Sequence, residues 1–377
     1  MVKADIKEIR EALKIAGKVV NRKSSMPILR HVLLCTEYNG RGLNLRLTAT
    51  DLENTLIFRI PLEGKTRIPE IVVDYDALAK ACRAAGKRRE IEFDYQDDIF
   101  AAVIGRGRYP FDNKLKADDF LRTPPIDSFE AQGGGAFPAD ALHSGLAKVA
   151  PAMSDDEMRR SLRGVFFDAA RQRLVATDGH RLHYVPFELA GFSDSLLTKT
   201  ALPALFDLLK ITDGDALVVR RGNFLLFTPA RYRTGTADYR FISRVVDAEF
   251  PDYPQVVPAK DRIKYRFDVD TSELAESCER MAKLGHLHQV YSAGGSGVKL
   301  TVNGALEIAD KGKAREVITT HGDHVNPELE VGINIKFLTD LIKHAGDKIR
   351  VSMRGIKNPV KWDTDGLSVV IMPFDLK

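Results

Sequence analysis

The chain has 377 residues, of which 44% are hydrophobic and 29% charged, a balance that suits two or three folded domains and excludes disorder or coiled coil as the dominant state. Fifty-six Lys and Arg against 52 Asp and Glu leave a net charge of only +4, so any role with nucleic acid must come from where the charges sit. Cys35, Cys82 and Cys278 form no CxxC pair, which argues against a disulfide framework or a structural zinc site and for a reducing compartment. The amino terminus is charged from its third residue and no stretch approaches the roughly 18 apolar residues of a membrane span, so a cytoplasmic protein without a membrane partner is expected.

The first predicted helix runs from Asp5 to Lys18, with Ile6, Ile9, Leu13, Ala16 and Val20 at the 3.6-residue period of a buried face. Lys3, Lys7, Arg10, Lys14 and Lys18 fall in one arc at about 100° per residue, a basic stripe. The alternating strand LNLRLTATDLE (43–53) follows, then Ile71-Val72-Val73 leading into the helical pattern DYDALAKACRAAG, whose Lys80, Arg83 and Lys87 lie opposite Leu78, Ala81, Cys82 and Ala85. REIEFDY closes this first set as a strand. Past a joint at LRTPPID (121–127), with Pro124-Pro125, come a helix from Pro138 to Val149, the strand RLVATDGHR (173–181), LLTKT leading into the helix ALPALFDLLK, and the strand DALVVRR. Past a second proline-rich joint, FPDYPQVVPAKDR (250–262), come a helix from Thr271 to Leu284, the strands of VKLTVNGALEIADKG (298–312), VGIN leading into the helix IKFLTDLIKHAG, and the strand DKIRVSM.

This order is a threefold repeat. Asp178 follows Asp51 by 127 residues, and Asp310 follows Asp178 by 132 in a fainter third copy. Gly86, Gly214 and Gly346 punctuate the helix-to-strand junctions at offsets of 128 and 132, so two unrelated features share one period. Each unit has the size of an ordinary domain, and short turns between most strands favour antiparallel pairing. Lys148, Lys199, Lys210, Arg280, Lys336 and Lys343 carry basic charge onto the later helices, as a phosphate backbone would require, although solvated helix faces also carry such residues. An acid–base reading of Asp178 and His180 lacks a nucleophile elbow or a phosphate loop. His286 and His288 lack the motif of a metal site, and Asp155-Asp156-Glu157 lacks calcium-loop spacing.

MPILRHVLL (26–34), LTATDLE (47–53), SDDEMRRSLRGVFFD (154–168), VATDGHRL (175–182), DAEFPDYPQVVP (247–258) and VIMPFDL (370–376) occur in the order found in the bacterial DNA polymerase III beta subunit, the sliding-clamp family, and the chain resembles that family over its whole length. The resemblance implies an α+β fold of three clamp domains, 1–124, 125–257 and 258–377, each with two helices packed on antiparallel sheets. It implies a head-to-tail homodimer forming a six-domain ring around duplex DNA, non-catalytic and without a cofactor or metal. The expected partners are double-stranded DNA, a second copy, the DNA polymerase III alpha subunit, the clamp loader and other proteins with clamp-binding motifs.

By the same resemblance, Arg22, Lys23, Arg83, Arg160 and Lys199 are expected at DNA. A peptide groove is expected from Leu162, Thr177, Gly179, His180, Arg181, Leu182, Pro251, Val256, Val370, Met372 and Pro373, and a dimer interface from Tyr109, Phe111, Lys283 and Leu284. Asp375, Gln255, His183 and Lys283 depart from the family pattern, and the chain is basic where most relatives are acidic. These departures leave open a specialised accessory clamp. A scaffold that binds DNA without encircling it is the alternative from another class.

Overall fold

The structure, a computed structural model, describes residues 1–40, 42–112, 114–122, 126–231, 237–284, 297–302, 305–309, 315–321 and 329–375. Pro124-Pro125, His286, His288, Asp310, Leu376 and Lys377 lie outside the described residues.

Three rounds of the same element order fill the chain. The first is β1 (Val2–Asp5), α1 (Ile6–Ala16), β2 (His31–Asn39), β3 (Gly42–Thr50), β4 (Asn54–Pro61), a two-residue β5 (Glu63–Gly64), β6 (Ile71–Asp74), α2 (Tyr75–Ala84), β7 (Glu90–Gln96), β8 (Ile99–Ile104) and β9 (Gly107–Pro110). The second is β10 (Ala131–Pro138), α3 (Ala139–Val149), β11 (Gly164–Asp168), β12 (Arg173–Thr177), β13 (Arg181–Pro186), β14 (Ser195–Thr198), α4 (Leu202–Ile211), β15 (Asp215–Arg221), β16 (Phe224–Pro229) and β17 (Asp238–Arg244). The third is β18 (Tyr265–Asp270), α5 (Thr271–Leu284), β19 (Gly297–Val302), β20 (Ala305–Ala309), β21 (Arg315–His321), β22 (Leu329–Asn334), α6 (Ile335–Ile342), β23 (Lys348–Met353), β24 (Val360–Thr364) and β25 (Leu367–Ile371).

Local chemistry sets the helix starts. Asp5, Asp74 and Asn334 are N-caps whose side chains accept from the amides of Lys7, Ala77 and Lys336, which satisfies donors that the first turn leaves open. α1 therefore begins one residue after Asp5, and Lys3 belongs to β1, where it pairs with Glu92 at 3.0 Å. The predicted stripe breaks further along. Arg10 donates to the carbonyl oxygens of Cys82 (2.7 Å) and Gly86 (2.8 Å), closing the carboxyl end of α2, and Lys14 and Lys18 both reach Asp207 of α4, at 3.6 and 2.8 Å. Of the five basic residues, only the Lys7 ammonium has no partner among the described residues.

The chain forms two compact units that do not coincide with the repeats. One comprises Met1–His143 and Ala190–Val246, and the other Ser144–Leu189 and Asp247–Lys377. The first holds an eight-stranded sheet ordered β10-β15-β16-β17-β4-β3-β2-β6 and a five-stranded sheet ordered β5-β1-β7-β8-β9. In the second, strands run in the order β11-β12-β13-β25-β24-β23-β18-β21-β20-β19-β22. Every named pairing within these units is antiparallel, as the short connections predict. Successive repeats are stitched by two matching ladders. β17 pairs β4 with Ile242 opposite Thr55, and β13 pairs β25 with Leu182 opposite Val370. Each unit thus takes strands from two repeats. Among the described residues no helix is long and apolar enough to cross a membrane.

Candidate functional site

The second unit gathers all eleven residues predicted for the groove. Strand periodicity explains much of this. Thr177, Leu182 and Val370 stand opposite one another across β12, β13 and β25, and Val175 stands opposite Tyr184, so their side chains share one sheet face. Val175, Leu182, Tyr184, Tyr253 and Val370 form a buried apolar cluster, with Phe166, Phe250 and Val257 packed at its margin. Phe250 stacks on Phe166 with centroids 4.7 Å apart, and the Tyr253 hydroxyl donates to Asp168 at 2.7 Å, which moors the short helix Tyr253–Val256. Burial and the Asp168 carboxylate push that phenol well above its usual range. Leu162 is buried, whereas Pro251, Val256 and Met372 are exposed and Pro373 is half-buried. The buried members make a floor and the exposed ones a rim.

The turn from Thr177 to Arg181 is closed by its own side chains. Thr177 Oγ1 donates to the Arg181 carbonyl oxygen (2.6 Å) and accepts from the Gly179 amide (3.1 Å). Asp178 Oδ1 accepts from the amides of His180 and Arg181, both at 2.9 Å. Gly179 has φ +89°, a left-handed conformation that suits glycine and leaves its backbone bare, while the His180 side chain is exposed. Asp178 is thus committed to the turn and not poised beside His180 as an acid–base partner. The carboxyl-terminal strand is sewn onto this turn. The Met372 amide donates to the His180 carbonyl at 2.9 Å, and the Phe374 amide donates to that of Gly332 at 3.0 Å.

Arg181 differs from the expectation of a ligand-facing residue. It is 6% exposed, and its guanidinium donates to Asp178 Oδ2 (3.1 Å), Asp340 Oδ2 (2.7 Å) and the Pro151 carbonyl, over the ring of Phe337 at 4.4 Å. Burial works to raise the Asp340 carboxyl, but hydrogen bonds from Arg181 and Lys343 overcome it and hold the group below its usual value. Arg181 supports the Thr177–Arg181 turn from behind. Neither Asp340, Phe337 nor Pro151 was predicted, because each lies at least 30 residues from Arg181 in sequence and none belongs to a shared motif. The His183 side chain is fully buried, with Nδ1 3.0 Å from the Lys148 carbonyl oxygen, and burial pushes its imidazole down to about 4. Gln255 donates to Asp252 at 2.7 Å, and Asp375 is exposed.

The predicted DNA contacts divide between the units. Arg22, Lys23, Arg83 and Lys199 lie in the first and Arg160 in the second. Arg22 is exposed, stacks over Tyr75 at 4.8 Å and approaches Asp76 at 3.4 Å, an exposed pair of little energetic weight. Lys23, Arg83 and Arg160 are exposed with side chains unpaired among the described residues, and Lys199 is half-buried. Several helical cations named from sequence are held elsewhere. Arg280 pairs with Glu276 and Glu316, Lys343 with Asp340, and Lys148 donates to the Asp365 carbonyl.

Of the predicted dimer residues, Tyr109 is exposed on β9, the edge strand of the five-stranded sheet. Phe111 turns inward instead and stacks on Phe100 with centroids 5.2 Å apart, a core role. Lys283 is exposed and paired with Glu279 at 2.6 Å, and the Leu284 side chain lies outside the described residues.

Residues 136–252 match the family model of the DNA polymerase III beta subunit, central domain. The beta sliding clamp of Pseudomonas aeruginosa is 27% identical, over 97% of this chain and 96% of its own. The DNA polymerase III beta subunit of Thermotoga maritima superposes with a TM-score of 0.85 at 24% identity, covering 100% of both chains. The chain is similar to beta sliding clamps over nearly its whole length. The Pseudomonas aeruginosa clamp solved with griselimycin is 25% identical, with a TM-score of 0.84 over 100% of both chains. Likeness to these clamps spans the whole chain, so the turn, the buried cluster and the carboxyl-terminal strand all fall within it.

Proposed function

We infer that the chain works as a DNA sliding clamp, a non-catalytic processivity factor. Two copies associate head to tail, six repeats close around duplex DNA, and the ring tethers DNA polymerase. The observation that carries this reading is likeness to beta sliding clamps along the entire chain. The domains are proposed to be 1–124, 125–257 and 258–377, in keeping with the threefold element order. A threaded ring is held by topology. Nonspecific binding to open duplex, at roughly 10⁻⁴ to 10⁻⁶ M, is lost as salt rises, so weak phosphate contacts from Arg22, Lys23, Arg83, Arg160 and Lys199 let the ring move without being trapped. The edge position of β9 supports Tyr109 as part of the contact between copies, together with the region of Lys283 and Leu284.

The groove of the second unit is proposed to take short linear peptides of the DNA polymerase III alpha subunit, the clamp loader and other replication or repair proteins in the cytoplasm. An apolar floor under bare backbone at Gly179 supports this reading. Each apolar side chain buried there contributes about 1.5–3 kcal/mol before ordering costs, which gives exchangeable binding. Deleting residues 372–377 is expected to abolish binding of a clamp-binding peptide in fluorescence anisotropy while light scattering still reports a dimer. Unchanged affinity overturns the groove, and a monomeric parent protein overturns the ring.

A further inference from the structure

The turn at Thr177–Arg181 has a counterpart in the first repeat, and the difference between the two isolates what the second adds. Thr50 Oγ1 donates to the Asn54 carbonyl (2.9 Å) and accepts from the Leu52 amide (3.2 Å), and Asp51 Oδ1 accepts from the amides of Glu53 (3.0 Å) and Asn54 (2.6 Å). Leu52 has φ +83°, close to the +89° of Gly179. The Arg244 amide meets the Glu53 carbonyl at 2.8 Å, as the Met372 amide meets that of His180 at 2.9 Å. At the last position of the turn the likeness ends. Asn54 donates to Asp51 and to the neutral hydroxyl of Thr200, whereas Arg181 donates to Asp178 and to the carboxylate of Asp340 on α6.

The turn therefore closes without an arginine and without an ion pair. A buried ion pair is weak evidence for stability, because desolvation offsets much of its attraction. What it supplies is direction. Arg181 is held at three points, by Asp178 of the turn, by the Pro151 carbonyl and by Asp340 of α6, so the turn is fixed to the third repeat as well as within itself. Lys343 Nζ, 3.0 Å from Asp340 Oδ1, fixes the carboxylate in turn.

We propose that Asp340 is a positioning residue of the peptide groove: through Arg181 it sets the Thr177–Arg181 turn, and so the backbone at Gly179 and His180 that a bound segment meets. Asp340 touches no ligand itself. Its effect reaches the rim through the His180 carbonyl, which holds Met372. The inference rests on the groove reading above.

The test uses full-length protein and a fluorescently labelled clamp-binding peptide as probe, with affinities measured at 25 °C for wild type, Asp340→Asn, Asp340→Glu and a core control, Leu300→Ala. Asp340→Asn is expected to weaken binding by about tenfold, equivalent to about 1.4 kcal/mol, and to speed hydrogen exchange at the Met372 amide. Asp340→Glu, which keeps the charge, is expected to recover most of the affinity. Leu300→Ala lowers the melting temperature without moving the affinity, so a loss seen equally in the control assigns Asp340 a merely structural part and overturns the proposal. Equal binding by wild type and Asp340→Asn also overturns it while leaving the groove in place. Failure of wild type itself to bind removes the groove and the positioning role together.

Discussion

His183 shows how a single side chain ties fold to pH. Its imidazole is neutral when folded, since burial holds it at about 4 against an ordinary 6.5. The unfolded chain takes up a proton below pH 6.5 that the folded chain refuses until about pH 4, so stability falls as pH drops through that window. Urea denaturation at pH 5 is expected to show a loss of about 2 kcal/mol relative to pH 7 from this residue, and His183→Leu is expected to flatten that part of the profile. His143 and His344, both shifted downward first by burial, add slope of the same sign in both proteins. Equal slopes would show that His183 does not titrate this way. Gly332 makes a second residue-scale case. A Cβ there would lie 2.7 Å from the Phe374 carbonyl oxygen, so Gly332→Ala must displace the carboxyl-terminal segment. Faster exchange at the Phe374 and Met372 amides is expected, and unchanged protection contradicts the two-point mooring. At this scale the sequence marks the turn by its residue types, with Thr177 closing it and Gly179 taking its positive φ. It was silent where burial decided. Nothing in its neighbours marks Arg181 as a support, because its partner Asp340 is 159 residues away.

Helix starts followed from caps and strand positions from alternation, but the fate of the basic stripe did not. An arc of cations on a helix has the same pattern whether it faces solvent, DNA or another helix. Here Arg10 caps α2, and Lys14 and Lys18 hold Asp207 of α4. Burial works to raise the Asp207 carboxyl, and the Lys18 and Lys14 charges prevail and hold it low. Asp207→Asn is expected to destabilise the protein by about 1 kcal/mol and to strengthen DNA binding at low salt by releasing two cations. A drop in DNA binding would place Lys14 and Lys18 in another role. Lys7→Ala and Arg83→Ala, by contrast, are each expected to reduce the slope of log affinity against log salt by about one, without a change in melting temperature. An unaltered slope would remove them from the DNA-facing set.

The threefold repeat was visible from two independent periodic series, and the structure writes it out as three rounds of one element order. What the sequence did not reveal is that compactness follows the ladders between repeats, β17 with β4 and β13 with β25, because residues that are neighbours across a sheet carry no mark of their partners. Those ladders place the matching turns, one with Leu52 and Asn54 and one with Gly179 and Arg181, so that one fold element recurs in the first and second repeats with different partners at its last position. Threading, and not grip, is what holds DNA in the proposed ring. It is tested most directly by loading the protein onto nicked circular plasmid, raising the salt until a short linear duplex releases it, and then cutting the circle with a restriction enzyme. Retention on the intact circle and escape after linearisation are expected; equal loss from circle and line at the same salt overturns threading.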